Sequence, residues 1–325
     1  MDCEQRSEIE RILKAVRSIC DLNREAICDL QETFAGRVVI DKFKVKPSEW
    51  KRWKDQWGEV HGIEYDAQKQ LVVTKPRPTG LHDAVNAAMR KWLDMVARIL
   101  RAATESKFRH LQNLGLDLAG KQAGTFLEAD HCIHRTIKKY PLVLVEVGVS
   151  ESTPQIFRDT EKWLEGSNGQ TRLAIVIDIN QHLPKEQKQK PMTSWGLSDS
   201  QIVNFTLGEL TQHILRWNSS NLTSFMGEFN ACVYLRFQGQ EWRAIWEYEF
   251  PSQGPFRKPL VHDKTYTSIT TKDLLPELDF SVELPLPLEE LANEMEDSLP
   301  LYRAQRAEVQ ANIKMKGILS KYVKG

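Results

Sequence analysis

The feature that most constrains this chain is an apolar run with a single carboxylate inside it. The run reads Tyr140-Pro141-Leu142-Val143-Leu144-Val145-Glu146-Val147-Gly148-Val149 and continues at once into Ser150-Glu151-Ser152. Val and Leu at successive rather than alternate positions spell a central strand covered on both faces. A carboxylate buried there costs free energy unless a cation, a metal or a donor network compensates it. Glu146 is therefore marked for chemistry, for binding something positive, or for both.

The surrounding pattern predicts a mixed α/β protein. Helical spacing of Ile9, Val16, Ile19, Ile27 and Leu30 predicts one long amphipathic helix over about 4–34. A strand is expected over 38–45, then a helix from Pro47 whose Trp50, Trp53 and Trp57 share a face, read as core packing. Short strands over 61–66 and 69–75 end at Pro76-Arg77-Pro78, and a second long helix is expected over about 81–112. Strands at 125–133 and 142–149 follow, with a polar turn between them. A helix then starts at Thr153-Pro154, with Thr as N-cap and Pro at the first position, and ends at Gly166; a further buried strand spans 172–179. This order predicts a mixed-sheet core over 79–180, preceded by a 1–78 extension of helix and small strands, with a right-handed last crossover. The 181–325 extension is expected to hold a polar excursion at 180–198, a helix over 200–217, and a hairpin of 225–237 with 242–250. An irregular stretch over 251–287 and a basic helix over about 300–323 complete it.

Composition narrows the function classes. The 325 residues give room for a substantial core, and 41% hydrophobic with 27% charged content is that of an ordinary globular protein. Lys+Arg and Asp+Glu balance at 44 each, so no global field advertises nucleic acid or membrane. Locally, 269–299 carries nine carboxylates against one lysine and 300–325 carries six Lys/Arg against one glutamate, while 35–58 and 90–109 are net basic; these are solvated faces or the border of an anion site. Five cysteines without a CxxC pair suit a reducing compartment and argue against structural zinc. The start of the chain lacks the basic and apolar regions of a signal peptide, and no apolar stretch is long enough to span a bilayer, so a cytosolic or nuclear setting without membrane partners is expected. The Asn-x-Ser/Thr triplets at Asn204, Asn218 and Asn221 are then chance matches. No Walker A loop, no Gly-x-Gly-x-x-Gly loop and no Gly-x-Ser-x-Gly elbow is present.

Glu128 and Asp130 lie two apart on a predicted strand, so they share a face with Cys132 and His134. If that strand neighbours the Glu146 strand, Asp130 and Glu146 meet over one site, the donor pair that a hard ion such as Mg²⁺ or Mn²⁺ accepts beside a phosphate. Ser150, Ser152, Thr153 and the following helix N-terminus form a candidate anion cradle. Structural alternatives stay open: Asp130 as a turn cap, and Glu146 paired with Arg98, Arg101 or Arg172. His131 and His134, three apart in a strand, face opposite sides.

Glu128-Ala129-Asp130, then Val145-Glu146-Val147-Gly148-Val149-Ser150-Glu151-Ser152, then Arg158-Asp159-Thr160-Glu161-Lys162-Trp163-Leu164 resembles the PD-(D/E)xK restriction-endonuclease-like superfamily. It is similar in particular to a set of fungal proteins with an EVGxSES motif. The resemblance covers residues 120–180. It implies a restriction-endonuclease-like mixed-sheet core with long flanking helices and a C-terminal hairpin plus helix. It further implies metal ligation by Asp130 and Glu146, with Glu128 assisting through a water. Gly148 stands where that superfamily has its signature lysine; in branches where the lysine migrates to the next helix, Lys162 is the matching position, against the alternative of a surface lysine beside Trp163. The expected function is a metal-dependent nuclease, or a nuclease-derived enzyme acting on DNA or tRNA. The alternatives are a tRNA-dependent group-transfer enzyme, of the kind of the fungal arginine-containing cyclodipeptide synthases, and a catalytically silent binding protein. In the group-transfer case Asp130 and Glu146 serve as general bases or as a guanidinium pocket. Oligomeric state is not encoded in any pattern found.

Overall fold

The computed structural model describes residues 3–34, 36–58, 60–149, 153–182, 195–220, 227–251, 261–262 and 268–322. The chain is a mixed α/β protein built on a ten-stranded mixed sheet.

The N-terminal part contains α1 (Cys3–Ile12), α2 (Arg24–Thr33), β1 (Val38–Ile40), α3 (Pro47–Trp57), β2 (Ile63–Asp66) and β3 (Leu71–Thr74). The single helix expected over 4–34 is broken. Asp21 gathers the backbone N–H groups of Arg17 and Ser18, and the Asn23 side chain caps α2 by accepting from Ala26 N–H. Caps of this kind win over a continuous apolar stripe because they satisfy the first amides of a new helix. Trp50, Trp53 and Tyr65 stack in a compact apolar cluster with Leu30, Ile40 and Val72, so the tryptophan stripe is core packing.

α4 (Gly80–Ala103) buries Leu81, Val85, Met89, Trp92, Leu93, Val96 and Leu100 on one stripe. It stops nine residues short of the expected end at 112: Thr104 turns extended and its hydroxyl donates to Leu100 O. The next residues form β4 (Phe108–Asp117), a strand whose first half the sequence reading merged into the helix and whose second half it left unassigned. Only Phe108 of β4 is buried, so the strand has no alternation to betray it, and its pairing with β5 (Phe126–Arg135) decides its state. β6 (Val143–Val149), α5 (Thr153–Gly166) and β7 (Leu173–His182) follow in the expected order, with β6 antiparallel to β5 and parallel to β7. Thr153 is the first residue of α5, its hydroxyl bonded to Asp178 rather than capping the helix.

Beyond β7, the expected helix over 200–217 is two pieces, α6 (Asp199–Ile202) and α7 (Leu207–Ser220), separated where Thr206 and Glu209 form a reciprocal cap. The hairpin is present as β8 (Glu228–Phe237) and β9 (Arg243–Pro251), followed by β10 (Val261–His262) on its edge. The stretch expected to be irregular includes a small sheet of β11 (Ser268–Thr270) and β12 (Glu283–Pro285) flanking α8 (Thr271–Leu274). The last helix, α9 (Leu288–Tyr322), starts twelve residues before Pro300, which lies inside it rather than at its start. Most of the 180–198 excursion lies outside the described residues.

The sheet runs β1-β3-β2-β5-β6-β7-β8-β9-β10, with β4 on the other edge of β5. Val143, Val145, Val147, Ile175 and Ile177 face the main core shared with α4, α7 and α9, while Leu144 packs with Trp163 of α5 on the opposite face. The central strands are thus covered on both sides. Among the described residues no helix is long and apolar enough to cross a membrane.

Candidate functional site

The site follows from a defect in the sheet. β4 occupies one edge of β5 from Phe126 to Arg135. The other edge is shared: β2 pairs with it at Phe126, and β6 pairs with it at His131–Ile133. Between those contacts β2 and β6 part, and side chains take over the backbone groups that a continuous ladder would satisfy. Glu64 Oε1 accepts from Glu128 N–H at 3.4 Å, and Asp130 Oδ2 accepts from Val147 N–H at 2.7 Å.

Lys75, one residue past β3, enters this notch. Its Nζ donates to Glu128 O at 2.7 Å and lies 3.1 Å from Glu64 Oε1 and 3.6 Å from Glu146 Oε2. His82, in the first turn of α4, places Nε2 at 3.6 Å from Asp130 Oδ2. Arg37 braces the far side, 3.0 Å from Glu64 Oε2 and hydrogen-bonded to Asp159. Carboxylates and cations therefore alternate from α5 to β6 in the order Lys162, Asp159, Arg37, Glu64, Lys75, Glu146.

The structure brings three of the expected residues, Asp130, Glu146 and Glu128, to one cleft of about 390 Å³. The Glu128 carboxylate, itself buried, accepts from Gly62 N–H at 2.9 Å and faces His61 Nδ1 at 3.0 Å. Lys162 lies further along the charged row, 3.0 Å from Asp66 and 3.1 Å from Asp159. Thr153 Oγ1 donates to Asp178 Oδ2 at 2.6 Å, so its hydroxyl is engaged there. Ser150 and Ser152 lie outside the described residues. Glu146 faces Lys75 rather than Arg98, Arg101 or Arg172. His131 Nδ1 meets His110 Nε2 at 2.9 Å, and His110 Nδ1 meets Asp94 at 3.2 Å.

Electrostatics separates the two central carboxyls. Burial pushes Glu146 well above the usual carboxylate range; Asp130 and Glu64 add like charge, and Lys75 opposes. Burial also works to raise Asp130, but His82, Lys75 and the Val147 amide outweigh it and hold Asp130 well below that range. Burial works to lower His82, yet the charge and hydrogen bond of Asp130 raise it to about 9. Lys75 is held firmly charged by Glu146, Glu64 and Asp130 despite its burial. The two carboxyls are thus pushed in opposite directions beside a charged ammonium. Burial pushes the Cys132 thiol up to about 12, which leaves it a neutral packing residue.

Among the described residues no three His, Cys, Asp or Glu side chains form a group disposed to hold a metal ion. Of the carboxyls that line the cleft, Asp130 and Glu146 face Lys75 and His82, which stand 3.6 Å from Glu146 and 3.6 Å from Asp130 respectively.

Sequence reasoning missed Lys75, His82, Glu64 and Arg37. The one local hint was a lysine closing the apolar strand Leu71-Val72-Val73-Thr74 just before Pro76. No protein family, no curated protein and no solved structure matches the chain.

Proposed function

We propose that the cleft is a divalent-metal-assisted phosphodiester hydrolase site on a restriction-endonuclease-like frame, and that the protein acts on nucleic acid. The observation that carries this reading is the convergence of Asp130, Glu146 and Lys75 on one notch in the edge of β5. Two carboxylates and an ammonium are the parts phosphoryl chemistry uses: anions to anchor a cation and a positive group facing the developing charge. In this reading Lys75 does from the N-terminal part what a lysine at 148 would do from the strand, and Lys162 steadies Asp66 and Asp159 behind it.

Asp130 and Glu146 would hold Mg²⁺ or Mn²⁺, which when bound supplies Lewis-acid polarisation of a phosphoryl oxygen. The Lys75 ammonium stays charged across the neutral range and faces the anionic substrate. His82 holds Asp130 in its anionic form. Burial favours the protonated form of Glu146, and a second positive charge beside it would favour the carboxylate. Arg77 and Arg90, at the rim, supply contacts to flanking phosphates.

In the group-transfer alternative an entering guanidinium meets the same two cations that a metal ion meets, Lys75 beside Glu146 and His82 beside Asp130. The test is a gel assay of duplex DNA, single-stranded DNA and bulk tRNA with Mn²⁺ or EDTA, run for the wild type, Glu146→Gln and Lys75→Met. Cleavage with Mn²⁺ that both substitutions abolish is the expected result. Substrates left intact by the wild type in Mn²⁺ would sink the reading.

A further inference from the structure

We infer that the substrate is a single strand, threaded through the cleft or entering it by an end, rather than the interior of a duplex; this rests on the phosphodiesterase reading above. Size comes first. A cavity of about 390 Å³ lies near the lower end of the roughly 300–1,000 Å³ range of pockets that enclose a drug-sized ligand, which is room for about one nucleotide.

Depth comes second. The groups that would do the chemistry are at the floor: the Glu146 and Lys75 side chains are 5% and 14% exposed. Pro76-Arg77-Pro78 and the first turns of α4 also line the cleft, with Arg77 and Pro78 exposed above these groups. A duplex carries its phosphates on the outside of a stacked, paired body, and reaching a narrow pocket from it requires unpairing and unstacking. A single strand has no such cost.

The lining comes third. Arg77 is 58% exposed at the lip, held from behind by Glu32 at 2.7 Å. Arg90 stands on α4 beside Gln112, its Nη2 donating to Oε1 at 3.0 Å. These two cations suit the phosphates before and after the one at the floor. Among the described residues the lining has no aromatic ring apart from His61 and His82, so the contacts it offers a strand are to backbone charge.

The experiment uses the full chain with Mn²⁺ and four probes: bis(p-nitrophenyl) phosphate, a 5′-labelled single-stranded oligonucleotide, the same strand in a blunt duplex, and the duplex with a 3′ overhang. The expected result is single-strand cleavage at least about tenfold faster than duplex cleavage, with the overhang trimmed to the junction. In the same assay Arg77→Glu raises KM for the single strand by about an order of magnitude, as loss of a phosphate contact does. Duplex interiors cut as fast as the single strand would overturn the inference and leave the phosphodiesterase reading standing. Metal-dependent hydrolysis of bis(p-nitrophenyl) phosphate with no cleavage of the single strand would do the same. No hydrolysis of any probe would overturn both.

Discussion

Lys75 is the residue on which most of the site turns, and its worth is measurable without any substrate. Removing one partner of a buried ion pair leaves an uncompensated charge, a loss on the order of 3–5 kcal/mol. Lys75→Met is therefore expected to lower unfolding stability by an amount in that range in a urea titration. Adding Glu64→Gln, which removes the carboxylate 3.1 Å from the Lys75 ammonium, should recover part of it, because the two sites are coupled; additive losses would show that the pair does not interact. The buried histidines set a pH window. His131 is lowered to about 4, by burial first and by His110 second. Its folded pKa is depressed, so its contribution is present above about 6.5 and is lost as pH falls through about 4, a span worth roughly 3 kcal/mol. His82 is raised to about 9, so its contribution is present below about 6.5 and is lost as pH rises through about 9. Melting temperature is expected to peak near neutrality, and His131→Leu should flatten the acid limb alone. An acid limb of unchanged steepness in that variant would show that His131 does not carry it.

At the scale of elements, α5 is held by a close approach at its end. A Cβ added to Gly166 would meet Leu118 Cβ at 2.8 Å and Gln122 Cβ at 3.2 Å. Gly166→Ala is expected to destabilise by about 1–3 kcal/mol, the cost of overpacking a tight contact; thermal melts unaltered by the change would mean that the 118–122 turn yields freely. The same element shows what the sequence can reveal. The order β5, β6, α5, β7 and the β8–β9 hairpin was legible because each has a local signature: an unbroken apolar run, a Thr-Pro start, a Gly end, a Gly239 turn. Asp130 and Glu146 were legible for the same reason, carboxylates standing on predicted strands. β4 was not, since nine of its ten residues are at least partly exposed and pairing alone makes it a strand. Lys75 and His82 were not, because a lysine after a short strand and a histidine in a helix's first turn look like thousands of surface residues. Only the parting of β2 from β6 gives them meaning, and no local pattern encodes it.

At the scale of the molecule, the cleft lies on a seam. One apolar cluster gathers residues from Ile9 to Val72, and the main cluster gathers residues from Leu81 to Ile318. Arg37, Glu64 and Lys75 come from the stretch before the seam, and His82, Asp130 and Glu146 from the stretch after it. If the cleft hydrolyses phosphodiesters as proposed, a chain begun at residue 79 loses that activity altogether even where circular dichroism shows a folded remainder. Residual turnover in that truncated chain would assign the chemistry to the carboxylates without Lys75.

The seam has a temporal side. During synthesis the first eighty residues emerge with the ammonium and its brace but with neither of the two central carboxyls, which follow some fifty to seventy residues later and reach their places only when β5 and β6 join the sheet. Whatever the cleft binds or does, its two sets of charges meet only once the sheet is complete.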